Sequence, residues 1–365
     1  MVTVLIAGGG TGGHVFPMVA VGQALARLSP DSRVFYVGTP RGMESRLLGS
    51  LGLDLELLDV APLRGGGLVG VATGVAKATA SLKTSRDLLR RRKPDVVLSV
   101  GGYAGGPVAL AARMLGVPLA ILEPNSVFGF TNRVLAPLAK RVFFAFGNLD
   151  KKLKSGVALR SGVPLRDNFQ QSPYEPQAGR FHVAVFGGSQ GAKALNELLP
   201  RAFAKLLEDV PFATILHQCG RGRLEETLAR YREAQVPAER FQVVEFVSNM
   251  SAELSRADVV LQRSGAGALA ELCLVGRASI LVPFPFAVDD HQLRNAEALS
   301  SAGAALLIEQ QHASEAKLAR TLCTLAYDPA ARLRMAQRAA SLAAPNAAET
   351  VAQGLLSLAH SRSGV

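Results

Sequence analysis

Two stretches of the sequence decide the fold: VTVLIAGGGTGGH at residues 2–14 and FHVAVFGGSQGA at residues 181–192. Each is a short apolar run that predicts a buried strand, and each ends in glycines that precede a helical pattern. The second stretch repeats the design of the first, with Gly187-Gly188-Ser189-Gln190 in the place of Gly9-Gly10-Thr11-Gly12. The sequence therefore predicts two domains of similar construction.

Further apolar runs alternate with helical patterns beyond these stretches. The predicted strands are 32–38, 94–100 and 118–122 in the first half, and 212–218, 241–247, 258–262 and 279–284 in the second. Strands that alternate with helices form right-handed βαβ units and a parallel sheet. The predicted fold class is α/β, with two Rossmann-like, doubly wound domains.

The chain of 365 residues suits two domains better than one. The stretch 155–179 is rich in Pro, Gly and Ser, which predicts the linker. We place the first domain at 1–163 and the second at 164–345. The sequence leaves open whether the final segment 346–365, which carries a helical pattern, packs on the second domain or back on the first.

The formal charge of +11 is concentrated in the first half of the chain. Residues 1–165 carry 20 Lys and Arg against 9 Asp and Glu, whereas residues 166–365 carry 20 of each. Such asymmetry indicates an anionic partner for the first domain, either a membrane surface or a nucleic acid. Trp is absent, and Phe and Tyr are not interleaved with the basic run, so we expect no nucleic-acid partner.

The basic segment 68–93 predicts an amphipathic helix whose apolar stripe faces the core. The side chains that we predict to lie against anionic lipid are Lys83, Arg86, Arg90, Arg91, Arg92 and Lys93. The alternative is that these charges form an ordinary solvated face.

Three cysteines, Cys219, Cys273 and Cys323, are too few and too far apart for a disulfide framework or a metal site. Sparse cysteines suit a reducing cytoplasm. The acidic pair in Asp54-Leu55-Glu56 lies in a strand-like run, so we predict no metal site there either. No apolar stretch reaches about 18 residues and no signal sequence precedes the first strand, so we expect a soluble protein with peripheral membrane contact.

Gly8, Gly10 and Gly13 satisfy the dinucleotide-binding pattern G-x-G-x-x-G. The acidic residue that this pattern needs is missing, because the second strand ends in Val37-Gly38-Thr39. What remains is a glycine turn before a helix, which offers backbone N–H groups and the positive end of the helix dipole to a phosphate. One such loop in each domain suits the diphosphates of a donor and an acceptor; alternatively, both loops are tight turns without a ligand.

Two more residues are candidates for chemistry. His14 follows the first glycine loop directly, and an imidazole there suits a general base. Glu271 lies in the helix predicted to follow the turn in RSGAGALAE (263–271), where a carboxylate can accept both hydroxyls of a ribose. The alternatives are a histidine satisfied by local backbone and a solvated helix glutamate.

A set of motifs in this order resembles the MurG family of glycosyltransferases. The motifs are GGGTGGHVFP (8–17), SVGGYAGGP (99–107), EPN (123–125), GVPLR (162–166), GGSQGA (187–192), EFVSNM (245–250), RSGAGALAE (263–271) and DDHQLRNA (289–296). The resemblance runs through nearly the whole chain. Its most specific part is the combination of GGTGGH with GGSQGA.

The resemblance implies a GT-B fold, in which a cleft separates two Rossmann-like domains, and an inverting, metal-independent transfer without a cofactor. The donor is UDP-N-acetylglucosamine, bound mainly by the second domain. The acceptor is the 4-hydroxyl of MurNAc in undecaprenyl-diphosphate-linked MurNAc-pentapeptide, so that lipid I becomes lipid II in peptidoglycan synthesis. The resemblance also implies a place on the cytoplasmic face of the bacterial inner membrane, with an anionic phospholipid surface and cell-wall and division proteins as partners.

The resemblance assigns site residues by position. The donor residues are Thr11, Gly12, Gly13, Asn125, Arg166, Ser189, Val247, Ala266, Gly267, Ala268, Leu269, Ala270, Glu271 and Gln292. The acceptor residues are Gly9, Gly10 and Tyr103, and the general base is His14. Among the donor residues, Asn125 matches a contact to the sugar, and Arg166 and Ser189 match contacts to the diphosphate. The chain departs from the family at Pro124, where Gln is usual, and at Ala268, where Thr is common.

Two other classes of function remain open at this stage. Another GT-B enzyme, such as a UDP-GlcNAc 2-epimerase or a glycolipid transferase, would share the ribose-binding glutamate but not the GGTGGH motif. A nucleotide-sugar sensor would bind the donor without turning it over.

Overall fold

The structure is a computed structural model that describes residues 1–9, 12–40, 42–60, 67–147, 149–167, 169–188 and 191–363. Contacts divide the chain into two compact units. The first unit comprises Met1–Asp167 and Ala344–Val365, and the second comprises Asn168–Ala343.

In its described residues, the first unit contains a seven-stranded parallel sheet with the strand order β3-β2-β1-β4-β5-β6-β7. The strands are β1 (Thr3–Ala7), β2 (Arg33–Gly38), β3 (Leu55–Leu57), β4 (Val96–Ser99), β5 (Leu119–Glu123), β6 (Arg141–Phe144) and β7 (Ala158–Arg160). The helices that connect them are α1 (Gly12–Leu28), α2 (Met43–Ser50), α3 (Gly67–Arg92), α4 (Gly102–Met114) and α5 (Phe130–Leu135).

The described part of the second unit contains a six-stranded parallel sheet with the strand order β10-β9-β8-β11-β12-β13. The strands are β8 (Phe181–Phe186), β9 (Ala213–Gln218), β10 (Phe241–Val244), β11 (Val259–Gln262), β12 (Ala278–Leu281) and β13 (Leu306–Leu307). The helices are α6 (Lys193–Asp209), α7 (Leu224–Glu233), α8 (Met250–Arg256), α9 (Ala266–Val275), α10 (His291–Ser301), α11 (Glu315–Tyr327) and α12 (Pro329–Ser341).

The last helix, α13 (Ala347–Ser363), packs on α1 of the first unit. Its buried residues Val351 and Leu355 belong to the same apolar core as Val4 and Ile6 of β1. This contact answers the question that the sequence left open, because the end of the chain completes the first unit.

Both faces of each sheet are covered, as the predicted doubly wound fold requires. Val4 and Ile6 of β1 point into one core, whereas Leu5 and Ala7 point into another on the opposite face. Successive side chains of a strand alternate between faces, so a strand that is apolar throughout indicates a sheet buried on both sides. The predicted fold class is confirmed.

The predicted linker at 155–179 contains the boundary between the two units, after Asp167, but the segments on either side of that boundary belong to the folded units. Its first part contains β7, which pairs with β6 at the edge of the first sheet. Its later part is anchored to the second unit, where the Tyr174 hydroxyl donates to Asp258 Oδ1 at 2.8 Å. A strand as short and half-exposed as β7 carries little hydrophobic periodicity, so the Gly, Pro and Ser residues around it give the stronger sequence signal.

Other strand limits also differ from the predictions. Strand β10 ends at Val244 rather than at residue 247, and strands β6 and β13 were not predicted. Of the acidic pair, Asp54 precedes β3 and Glu56 lies within it, in line with the strand-like run there.

Candidate functional site

Each sheet has one point where the direction of winding reverses, between β1 and β4 in the first unit and between β8 and β11 in the second. In open α/β sheets, ligands bind outside the carboxyl ends of the strands at such a point. The two glycine loops singled out in the sequence follow β1 and β8, so both lie at these positions.

In the first unit, two glycine loops meet at the reversal point. Gly102 begins α4 with φ of +75°, and a Cβ atom there would lie 2.4 Å from the carbonyl oxygen of Gly9. The N-termini of α1, at Gly12, and of α4 therefore lie at the same edge of the sheet. Two helix N-termini side by side suit an anion. The predicted contacts Gly10 and Thr11 lie outside the described residues.

His14 lies in the first turn of α1, where Nδ1 is 3.0 Å from the carbonyl oxygen of Gly9. A carbonyl only accepts hydrogen bonds, so Nδ1 carries the proton and Nε2 carries the lone pair. The hydrogen bond to the Gly9 carbonyl thus fixes the neutral tautomer in which Nε2 can take up a proton. Gly13 precedes His14 and is exposed at this end of the helix.

Three more predicted residues follow strands of the first sheet. Asn125 follows β5, and its side-chain Nδ2 donates to the Glu123 carboxylate at 3.0 Å. Tyr103, at the start of α4, is 54% exposed. Arg166 follows β7, and its guanidinium lies 4.6 Å from the centre of the Phe16 ring on α1. Because the strands are parallel, all three lie at the same edge of the sheet as His14.

In the second unit, the loop after β8 approaches the loop after β9. A Cβ atom on Gly191, which has φ of +71°, would lie 2.0 Å from the carbonyl oxygen of Cys219. The predicted diphosphate contact Ser189 lies outside the described residues. Val247, which follows β10 at this edge, is buried.

The loop after β11 leads into α9, which begins at Ala266 with Gly265 as its N-cap. The predicted ribose loop, residues 266–270, therefore forms the first turns of α9, and Glu271 lies half-buried in the second turn. Gln262 Nε2 donates to the carbonyl oxygen of Ala268 at 3.2 Å, which ties the strand end to the helix.

Hydrogen bonds connect this loop to the segment that contains Gln292. Ser264 Oγ donates to the carbonyl oxygen of Gln292 at 2.7 Å, and Asn295 Nδ2 donates to that of Ser264 at 3.1 Å. Gln292 Oε1 accepts from the backbone N of Phe284 at 3.0 Å. The turn that leads into α9, the helix of Glu271, is thus bonded to the first turns of α10, which contain Gln292.

Sequence reasoning did not single out several residues that organise the two edges. Glu44 is fully buried against Gly9, and its Oε1 accepts from the backbone N and Oγ1 of Thr39 at 2.8 Å each. Arg263 donates to the carbonyl oxygens of Val282 and Pro283 at 3.0 Å, and its burial lowers the pKa of the guanidinium. Glu123 stood in a quoted motif, and the available signal was its charge at the end of an apolar strand.

The basic helix α3 is partly neutralised within the chain. Arg92 donates to Asp54 at 3.0 Å and to Glu56 at 2.7 Å, and Arg91 donates to Glu56 at 3.2 Å. The hydrogen bond from Arg92 is the main cause that lowers the pKa of Glu56. Arg91 and Arg92 therefore have carboxylate partners within the chain, and the lipid-facing role of the six basic residues stays a prediction.

The remaining basic residues differ in exposure. Lys83, Arg90 and Lys93 are exposed, whereas Arg86 is half-buried. In the part of the chain that the structure describes, no helix has the length and apolarity needed to cross a membrane. No cluster of three or more His, Cys, Asp or Glu in those residues is arranged to hold a metal ion.

Comparisons with known proteins place this geometry in a family. Residues 4–144 match the model of the glycosyltransferase family 28 N-terminal domain, and residues 182–351 match that of the C-terminal domain. A relative from Sorangium cellulosum is 52% identical, covering 98% of this chain and 89% of its own. That relative is named UDP-N-acetylglucosamine--N-acetylmuramyl-(pentapeptide) pyrophosphoryl-undecaprenol N-acetylglucosamine transferase.

Solved structures agree with this placement. The crystal structure of Acinetobacter baumannii MurG has a TM-score of 0.84 and 35% identity, covering 98% of this chain and 100% of its own. A putative UDP-N-acetylglucosamine 2-epimerase from Listeria monocytogenes has a TM-score of 0.69 at 15% identity, covering 100% and 98%, which shows a shared fold alone. The chain therefore belongs to glycosyltransferase family 28 and, within it, to the MurG transferases.

Proposed function

We propose that the chain transfers N-acetylglucosamine from UDP-N-acetylglucosamine to the 4-hydroxyl of MurNAc in undecaprenyl-diphosphate-linked MurNAc-pentapeptide. The observation that carries this proposal is the 52% identity, over 98% of the chain, to a transferase named for this reaction. The match covers 361 residues, and so it includes both units of the chain. The product of such a transfer is a lipid-linked disaccharide precursor of peptidoglycan.

The second unit supplies most of the contacts to the uridine diphosphate, and Arg166 of the first unit adds one. Glu271 accepts the two ribose hydroxyls, the backbone at Val247 reads the uracil, and the start of α9 faces the phosphates. The tie between Ser264 and Gln292 supports this assignment, because it links the ribose loop to a sugar contact. Ser189 and Arg166 are assigned to the diphosphate by position in the family.

The first unit supplies the proton acceptor and the acceptor contacts. The acceptor 4-hydroxyl attacks the anomeric carbon while the bond to the β-phosphate oxygen breaks, so the anomeric centre is inverted. His14 Nε2 takes the hydroxyl proton, and the backbone bond to Gly9 selects the neutral tautomer in which the lone pair lies on Nε2. Gly9, Gly10 and Tyr103 are assigned to the acceptor.

The transfer proceeds without a metal ion in this proposal. Negative charge grows on the diphosphate as UDP leaves, and helix N-termini and a guanidinium provide the positive field that stabilises it. The reversal point of each sheet lies beside the N-terminus of at least one helix of ten residues or more, which supports this account.

The first unit attaches to the cytoplasmic face of the membrane in this proposal. Besides the exposed charges of α3, an apolar face supports attachment: Phe130 and Val134 of α5 are 66% and 58% exposed. Leu110 and Met114 of the neighbouring α4 are exposed as well. Apolar side chains beside basic residues such as Arg133 suit an anionic bilayer surface.

A turnover assay tests the proposed function. UDP release from UDP-N-acetylglucosamine should require the lipid-linked acceptor and yield a lipid-linked disaccharide. Epimerisation of the donor without acceptor would favour the epimerase alternative instead. Tight donor binding with no UDP release in the presence of acceptor would identify a sensor.

A further inference from the structure

Glu123, the last residue of β5, carries a carboxylate in a residue that is only 1% exposed. A buried carboxylate is destabilising unless hydrogen bonds compensate its charge. Both oxygens are compensated here. Oε1 accepts from the backbone N of Asn125 at 3.1 Å and from its Nδ2 at 3.0 Å. Oε2 accepts from the backbone N of Gly129 at 3.0 Å and from Asn132 Nδ2 at 2.9 Å.

The carboxylate determines which way the Asn125 amide faces. An ionised carboxylate only accepts hydrogen bonds, so the amide atom turned towards Glu123 has to be Nδ2. Oδ1 of Asn125 therefore points away from Glu123. A glutamine in place of Glu123 would not enforce this orientation, because its own amide offers a donor as well as an acceptor.

The other side of the carboxylate is anchored firmly. Asn132 is 3% exposed, and its Nδ2 donates both to Glu123 and to the carbonyl oxygen of Leu122, the latter at 3.1 Å. This orientation leaves Asn132 Oδ1 without a hydrogen-bond partner among the described residues, which is unfavourable for a buried oxygen. The carbonyl oxygen of Leu122 and the Glu123 carboxylate, both on β5, thus hold Asn132 in this orientation despite that cost. The bond to Asn132 in turn fixes the position of the Glu123 carboxylate beside Asn125.

We propose that Glu123 is a positioning residue for recognition of the donor sugar. Its carboxylate holds the Asn125 amide in one orientation, so that Asn125 Oδ1 accepts a hydrogen bond from an N–H or O–H group of the sugar. The inference rests on the proposed function and on the contact between Asn125 and the donor sugar that the family resemblance implies. Glu123 itself does not touch the substrate and acts through Asn125.

A double-mutant cycle on the full chain tests this role. Calorimetry measures the affinities for UDP-N-acetylglucosamine and for UDP in the parent, Glu123→Gln, Asn125→Ala and the double variant. Glu123→Gln should weaken UDP-N-acetylglucosamine binding about tenfold, the scale of one hydrogen bond, and leave UDP binding unchanged. In the Asn125→Ala background the same change should have less than about a twofold effect, because coupled residues are not additive.

Several outcomes would overturn the proposal. If Glu123→Gln weakens UDP-N-acetylglucosamine binding equally in both backgrounds, the proposal fails. It fails also if UDP binding weakens to the same extent, because Glu123 then only stabilises the loop. An Asn125→Ala variant with parental donor affinity would remove the contact on which the inference depends. A parent that binds the donor but releases no UDP with acceptor contradicts the proposed function alone, since the binding cycle needs no turnover.

A reciprocal exchange covers the case in which Glu123→Gln does not fold. Asn125→Asp alone places two carboxylates together and should weaken donor binding. Adding Glu123→Gln supplies a donor to the new Asp side chain, although the backbone N of residue 125 then loses its acceptor. The second oxygen of the Asp then takes the place of Asn125 Oδ1. Recovery of UDP-N-acetylglucosamine affinity in the pair supports the proposal, and no recovery in a folded pair contradicts it.

Discussion

At the scale of single residues, a change at His14 tests whether catalysis can be separated from donor binding. His14→Ala removes the proton acceptor, so we expect kcat to fall by about 10²–10⁴-fold while the affinity for UDP-N-acetylglucosamine stays at the parental level. Steady-state kinetics with saturating acceptor and calorimetry of the donor measure the two quantities. His312→Ala, a change at an exposed histidine of the second unit, is the matched control. A near-parental kcat in His14→Ala would show that His14 is not the general base and only forms a local hydrogen bond to the backbone.

Glu271 provides the corresponding test for the donor. We expect Glu271→Ala to weaken UDP binding by about 1–3 kcal/mol, because two ribose hydroxyls lose a charged acceptor. The measurement is calorimetry with UDP, and Glu208→Ala on the exposed side of α6 is the control. Equal UDP affinity in the two variants would show that Glu271 is a solvated helix residue.

His217 gives the second unit a pH-dependent stability. It is fully buried on β9, where it bonds to Asn196 Oδ1 at 3.0 Å and to the Tyr231 hydroxyl at 3.1 Å, and burial lowers its pKa to about 3. Below pH ~6.5 the unfolded chain binds a proton that the folded one does not, until about pH 3. The free energy of unfolding should therefore decrease as the pH is lowered through this window, by up to ~1.4 kcal/mol per pH unit.

Denaturant unfolding at pH 7, 6 and 5 checks this expectation. His217→Gln should flatten the dependence on pH, although it lowers stability at pH 7. The half-buried His182, whose pKa burial also lowers, contributes in the same direction and remains in both proteins. A variant with the parental slope would exclude His217 as the titrating group.

At the scale of elements, helix α3 provides a charge test that spares the fold. Changing Lys83, Arg90 and Lys93 to Glu should reduce sedimentation with anionic vesicles, since each basic residue near such a surface contributes roughly 1 kcal/mol. Arg91 and Arg92 stay in place because their ion pairs hold β3. The control reverses the same number of charges on the second unit, at Lys193, Arg221 and Arg320.

Binding should also weaken as salt rises, because charges are screened beyond about 10 Å at 0.1 M. If the α3 variant sediments with anionic vesicles as much as the parent does, these charges form a solvated face and do not bind the membrane. In that case Phe130→Ser with Val134→Ser tests whether the apolar face of α5 carries the attachment.

The elements also show what sequence reasoning could and could not reach. Strands such as β1 and β8 were predictable because they are buried on both faces and followed by glycine loops. The two-residue β13 and the half-exposed β7 carry too few apolar residues for a periodic signal. The orientation of Asn125 depends on hydrogen bonds to Glu123 and cannot be read from residue types, whereas His14 could be placed because it adjoins its loop.

At the scale of the whole molecule, metal independence is the prediction that involves both units. Turnover of UDP-N-acetylglucosamine with the lipid-linked acceptor should persist in excess chelator, because helix N-termini and Arg166 are assigned the charge stabilisation that a metal ion would otherwise supply. The rate of UDP release with and without chelator is the measurement. Loss of activity that magnesium or manganese restores would contradict this assignment.

The return of α13 to the first unit has a consequence for biosynthesis. The core around Val4 and Ile6 lacks Val351 and Leu355 until α13 has left the ribosome. The second unit, by contrast, is one continuous segment, Asn168–Ala343. Domains usually fold in the order of synthesis. Here the unit translated second can reach its native state first, while the earlier one waits for its closing helix with apolar surface that chaperones would recognise.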